Sequence, residues 1–256
     1  HKDHILLRMD IQRILKMNTP LKDQYEETGY VLIPSAFSPE EISRWGEESD
    51  ALIQAALAQP GRAKLSSRAH LSQGAVYDRI DMSLTESPLF RALSLDPRIV
   101  DVAAVLFGEP ATLAKDKLIT KPPGTHGYLP HQDYLYWDYF GLPADHLVSA
   151  LVAIDAADEE NGALEVFPGL HRERLPTLAD APLDTDPATL VGNDFQRIDM
   201  QPGDVLFFHS MTPHQSGINR SGRSRRTLFL TYAPARYPRI YERFQHEKRP
   251  RLTAAD

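Results

Sequence analysis

A double-sheet jelly roll with helices packed outside it is the fold class that this sequence of 256 residues predicts. Two observations carry the expectation. From about residue 111 the chain breaks into short β-type apolar runs, and Gly, Pro, Asn and Asp separate those runs at close spacing. Before that point, apolar residues recur at helical spacing instead.

Taken in order, Tyr30 to Ile33 between Gly29 and Pro34 predict a short buried strand. Ser38-Pro39-Glu40-Glu41 then offers an N-cap, a first-turn proline and a capping box, so a helix should run into the alanine-rich stretch before Pro60. Asp96-Pro97 opens a second helix, with Ile99, Val102, Ala103 and Leu106 on one face and Gly108 as its stop. Strands are expected near residues 112–120, 147–155, 164–167, 196–200, 205–209 and 226–232, with turns at Asn161-Gly162 and Pro202-Gly203-Asp204. Residues 176–195, rich in Asp, Pro and Thr, read as a long surface loop. With no internal repeat, the expected organisation is one domain over 1–256. It comprises a helical N-terminal support at about 20–110, a jelly-roll core at about 111–236 and a C-terminal extension at 237–256.

Composition narrows the chemistry. There are no cysteines, so disulfides, zinc–thiolate sites, iron–sulfur clusters and a cysteine nucleophile are excluded together. Any metal must be held by His, Asp and Glu, which favour iron, manganese or zinc. The formal charge of −7 supplies no field for nucleic acid or anionic lipid. The longest apolar runs fall far short of the roughly 20 residues that span a bilayer. Arg8, Asp10, Arg13 and Lys16 interrupt the first apolar stretch, which does not suit a secretory signal, so a cytoplasmic location is expected. The sequence specifies no oligomeric state.

His131-Gln132-Asp133 places two candidate ligands two residues apart, on the same face if the backbone is extended. His214 can complete a two-histidine, one-carboxylate set, with His209 as its rival. Such a set leaves three positions of an octahedral metal open. Eleven residues after His214 comes Arg225, opening a β-type run; its neighbour Arg226 faces the other way, so only one of the two can point inward. An inward guanidinium could grip a carboxylate with two charge-assisted hydrogen bonds.

The motifs around these residues resemble those of the phytanoyl-CoA hydroxylase family of iron and 2-oxoglutarate oxygenases. Leu118-Ile119-Thr120-Lys121-Pro122-Pro123 leads into Leu129-Pro130-His131-Gln132-Asp133. Asn161-Gly162-Ala163-Leu164, Pro168-Gly169-Leu170-His171 and Gly203-Asp204-Val205-Leu206-Phe207-Phe208-His209 follow, and then Pro213-His214-Gln215-Ser216-Gly217, Asn219 and Arg225. The resemblance spans about residues 115–235 and implies a double-stranded β-helix, the cupin-like form of the jelly roll. It also implies Fe(II) on His131, Asp133 and His214, and 2-oxoglutarate on Arg225 with Ser216 as a second contact. O2 is then the oxidant and a small molecule the substrate, hydroxylated with release of succinate and CO2. The pattern selects His214 over His209 and Arg225 over Arg226. Asp133 stands where halogenases of the superfamily carry Gly or Ala, so hydroxylation is expected.

The substrate side departs from the family. Five of the seven residues 134–140 are aromatic, and Tyr134, Tyr136 and Trp137 are candidates for a pocket wall; a Trp at this offset is similar to what ectoine hydroxylases carry. Gln132 lies within the motif. Arg62, Lys64, Arg68 and Arg79 could bind an anionic group, Arg62 and Arg79 foremost. A small polar or zwitterionic metabolite, with an amino, carboxylate or phosphonate group, is the expected substrate. Three other readings stand beside this one: a metal-binding jelly-roll module without oxygen chemistry, an acyl-CoA hydroxylase, and a zinc hydrolase using the same ligands.

Overall fold

Strands whose residues are all buried must be covered on both faces, and that requirement organises this chain. The computed structural model describes residues 18–59, 64–72 and 74–247. A seven-stranded antiparallel sheet combines β1 (Tyr30–Ile33), β2 (Lys64–Ala69), β3 (Ala75–Asp81), β4 (Ala111–Ile119), β5 (Val148–Ala153), β8 (Val205–His209) and β10 (Thr227–Pro234), in the order β1-β8-β5-β10-β4-β3-β2. A three-stranded sheet of β6 (Leu164–Val166), β7 (Gln196–Ile198) and β9 (His214–Ser216) faces it, in the order β7-β6-β9.

Period-two alternation splits the large sheet into two cores. Val148, Ala150 and Val152 of β5, Val205 and Phe207 of β8, and Leu228, Leu230 and Tyr232 of β10 pack outward against helices. Leu151, Leu206, Phe208 and Phe229 point inward and meet Val166 and Ile198 of the small sheet. The result is the expected jelly roll.

The helices follow their signals. Helix α1 (Asn18–Thr28) precedes β1, and α2 (Pro39–Ala58) starts at Ser38, whose hydroxyl accepts from the Glu41 amide while the Glu41 carboxylate accepts from the Ser38 amide. This reciprocal cap contributes about 1 kcal/mol. After the short α3 (Pro88–Leu93), α4 (Pro97–Phe107) is capped by Asp96 and stopped by Gly108 in the left-handed conformation. Helix α5 (Ile240–His246) closes the described chain. No helix among the described residues is long and apolar enough to cross a membrane.

Three expectations need correction. Beyond the expected strand β1, the N-terminal part is not all helical, because the hairpin β2–β3 also joins the large sheet, β3 pairing with β4. His131 and Asp133 do not share a strand: His131 forms a single bridge with His214, and Asp133 begins a 3-10 turn, Asp133–Tyr136. The physical reason is the aromatic-rich segment, which coils through a second such turn, Asp138–Phe140, to bury Trp137 and Phe140 with Leu142, Leu147 and Ile240. Gln132 nevertheless keeps extended backbone angles, so the two ligand side chains still leave on one side. Finally, residues 176–195 are not wholly a surface loop, since Thr185 and Leu190 are buried and the Thr185 amide donates to Pro130 O at 2.7 Å.

Candidate active site

The two imidazoles are set by backbone before any metal is considered. His131 and His214 exchange amide–carbonyl hydrogen bonds, both 3.0 Å, so their rings lie side by side with centroids 4.2 Å apart. Each ring uses Nδ1 on a carbonyl: His131 on Leu129 O at 2.8 Å, His214 on Thr212 O at 2.9 Å. A carbonyl can only accept, so each Nδ1 carries the proton and each Nε2 presents a lone pair. Those Nε2 atoms lie 3.7 and 3.9 Å from Asp133 Oδ1. Ser149 Oγ donates to the other carboxylate oxygen, Oδ2, at 3.1 Å, which reserves Oδ1 for the cluster. Ligand atoms of His131, Asp133 and His214 lie within 4.8 Å of one another. Ligands about 2.1 Å from one ion and at right angles sit about 3 Å apart, so closing each carboxylate–imidazole gap by about 1 Å would bring it to ligand spacing.

Electrostatics keep the set ready for a cation. Burial, then the neighbouring imidazole, holds His131 neutral by lowering its pKa, and burial does the same to His214. Burial opposes ionisation of Asp133, but the His214 ring and the Lys117 ammonium outweigh it and hold its carboxyl below its ordinary value. His209 is no rival: its Nε2 lies 3.0 Å from Asp145 and its Nδ1 accepts from the Met211 amide.

Arg225 is buried on the pocket wall that His131, His214 and Ser216 also line. Its Nη1 donates to Gly162 O at 2.7 Å, while its Nε is buried with no hydrogen-bond partner. An orphaned guanidinium nitrogen is costly, and a carboxylate would satisfy it. Arg226 points out, to Asp155 and Asp50. Ser216 Oγ accepts from Lys121 Nζ and from the Tyr128 amide, both at 3.1 Å, which leaves its own proton to donate.

Lys121 was not foreseen. Its buried ammonium donates to Gly162 O, Ser216 Oγ and Gly217 O, tying the small sheet to β4. Burial and then the Arg225 charge push its pKa down to about 6, against those three acceptors. A lysine that loses affinity for its proton on folding contributes stability at alkaline pH, and this is lost as pH falls through about 6. Thermal unfolding of the metal-free protein is therefore expected to show Tm rising between about pH 6 and 9, with a flatter rise in Lys121→Met. A parental slope in that variant would contradict the account.

Close packing holds the co-substrate wall together. A Cβ on Gly127 would meet Ser216 O at 1.7 Å, so Gly127→Ala must push β9 away from the loop that precedes His131. A loss of about 3 kcal/mol is expected, read as a lower midpoint in urea unfolding. An unchanged midpoint would show that the loop yields freely.

In front of the triad lies a cavity of about 440 Å³. Of the candidate substrate residues, Arg79 and Tyr136 line it, as do Lys64 and Arg68. Gln132, Tyr134 and Trp137 do not. The Gln132 amide is spent on Glu173 O, Met211 O and the Leu175 amide; the Tyr134 hydroxyl donates to Leu142 O; Trp137 stacks on Phe244 at 4.3 Å. Arg62 lies outside the described residues. Sequence reasoning missed Lys115, Lys117, Tyr128 and Asp184 on the same wall.

A jelly roll that closes two imidazoles and a carboxylate on one point, beside a buried and unsatisfied arginine, defines a mononuclear non-haem oxygenase. The chain belongs to the phytanoyl-CoA dioxygenase (PhyH) family, whose model matches residues 25–227. It is thus an iron- and 2-oxoglutarate-dependent dioxygenase, as its motifs implied. It is 31% identical to a methylphosphonate hydroxylase of Gimesia maris, over 94% of this chain and 91% of that one. It is 37% identical to a 2-aminoethylphosphonate dioxygenase of an uncultured bacterium, over 52% of this chain and 50% of that one. Among solved structures, EctD from S. alaskensis with 2-oxoglutarate and 5-hydroxyectoine superposes with a TM-score of 0.73 at 22% identity, covering 85% of this chain and 76% of that one, a likeness of fold.

Proposed function

We propose that this chain, acting as one domain, hydroxylates a small phosphonate, with iron on His131, Asp133 and His214 and 2-oxoglutarate on Arg225 and Ser216. The observation that carries the reading is the convergence of three ligand atoms within 4.8 Å of one another, with the two histidines on a wall shared with an arginine whose Nε is orphaned. Each imidazole offers Nε2, and Asp133 offers one oxygen because Ser149 restrains the other. The Arg225 guanidinium receives the distal carboxylate of the keto acid, and the Ser216 hydroxyl donates to the same group. Iron, when bound, supplies the oxygen-activating redox chemistry; the protein supplies position and a dry cavity. A cavity of about 440 Å³ suits a small metabolite rather than the whole of an acyl-CoA. The phosphonate class is taken from the two relatives named above. The test is succinate release with Fe(II), ascorbate and 2-oxoglutarate, with and without methylphosphonate or 2-aminoethylphosphonate, followed by mass spectrometry for a gain of one oxygen. Stimulation by either phosphonate is expected. Absence of succinate in every mixture, from protein that binds iron, would favour the metal-binding module.

A further inference from the structure

We propose that Lys115 and Lys117 form a subsite for a doubly charged oxyanion head group, so that the enzyme selects a phosphonate dianion over a monoanion of the same shape. This rests on the oxygenase reading above and adds to it the residues that recognise the substrate.

The two lysines occupy alternate positions of β4 and so project from one face of it, into the cavity in front of the triad. Lys117 is only 9% exposed. Neither ammonium forms a hydrogen bond or an ion pair with any described residue; each has aromatic rings instead. Lys117 Nζ lies 3.9 Å from the Phe229 ring centre, and Lys115 Nζ lies 4.8 Å from that of Phe244 and 5.6 Å from that of Tyr136. Buried charges are normally paired, so two unpaired cations facing one cavity mark a place for an anion.

Apart from Asp184, the carboxylates on this wall are already committed. Asp81 holds Arg79, with Nε 3.0 Å away, and also Ser66; Asp78 holds Arg68 and the Tyr128 hydroxyl. Asp116 accepts from Ser83, the Leu84 amide and the Tyr241 hydroxyl. Asp133 belongs to the metal. Once Fe(II), Asp133, the keto acid dianion and Arg225 are together, their formal charges cancel, and the two lysines are left to be balanced by the ligand. Burial and the Lys115 charge lower the Lys117 pKa to about 7, and a phosphonate dianion, with its second charge, holds both ammoniums protonated where a carboxylate or sulfonate can balance only one.

Lys117 borders both this cavity and the Arg225 pocket, so a head group held there lies beside the metal site. That places the carbon next to phosphorus for oxidation. A C–H bond breaks and a C–O bond forms, one oxygen of O2 entering the new hydroxyl and the other entering succinate as 2-oxoglutarate loses CO2.

The test is anaerobic calorimetry on the full chain loaded with Fe(II) and 2-oxoglutarate, titrated with methylphosphonate, methanesulfonate and acetate above the phosphonate's second pKa. Methylphosphonate is expected to bind about tenfold or more tighter than the other two, and Lys115→Met to remove that preference. Replacing an unpaired, half-buried cation with an apolar side chain is compatible with folding, and 2-oxoglutarate binding by the same samples checks this. Equal binding of methylphosphonate and methanesulfonate would overturn the proposal, as would a preference surviving in Lys115→Met; in both cases normal 2-oxoglutarate binding leaves the oxygenase reading intact. Failure of the parent protein to bind 2-oxoglutarate would overturn both.

Discussion

Asp133→Ala is expected to abolish hydroxylation, with kcat/KM falling about a thousandfold or more, equivalent to at least about 4 kcal/mol of transition-state stabilisation. Among the described residues, the substitution removes the only carboxylate whose ligand oxygen faces both histidine Nε2 atoms, at 3.7 and 3.9 Å. It also deprives Ser149 of its acceptor and removes one of the two negative charges, Asp133 and Asp81, that bear on Lys115 and Lys117. Iron content after dialysis should fall with the activity, while circular dichroism stays native. Turnover above about a tenth of the parental rate would remove Asp133 from the metal set.

The second large effect is expected at Arg225. Truncating a buried, charge-pairing arginine costs about 2–4 kcal/mol, so Arg225→Ala should raise the KM for 2-oxoglutarate by about 30-fold to 1000-fold. Its neighbour provides the control. Arg226→Ala removes ion pairs to Asp155 and Asp50 at the edge of α2 and should lower stability slightly, with the 2-oxoglutarate requirement unchanged. Steady-state kinetics with 2-oxoglutarate varied would separate the two. Equal behaviour of the two variants would mean that the inward arginine does not hold the keto acid.

Much of this was legible before any coordinates, for reasons that differ by element. The capping box at Ser38 and the left-handed stop at Gly108 are local codes, and local codes survive folding. The runs in β5, β8 and β10 announced themselves because buried strands need apolar residues on both faces. The hairpin β2–β3 was missed because Arg68, Asp78 and Arg79 give it a polar surface, and its inward face is the wall of a cavity rather than a core. Trp137 misled for the opposite reason: aromatic density next to a ligand motif is the same whether the rings line a pocket or pack under it, and here they pack on Phe244. The signal overlooked was Lys115-Asp116-Lys117 running into the buried end of β4. Charges inside an apolar strand are unfavourable there unless something requires them, which makes them pointers to a ligand.

The mutual amide–carbonyl bonds of His131 and His214 have an evolutionary corollary. Because two backbone links fix the gap between the imidazoles, the loops between them, outside Asp133 and the strands, can lengthen, shorten or change composition without disturbing that spacing. Diversification of appetite is thereby uncoupled from the oxidising centre: lineages can redecorate the intervening loops and inherit the same reactive core. A shift of register by one residue would instead turn an imidazole to the opposite side, so insertions beside residue 214 should be purged where those farther out accumulate.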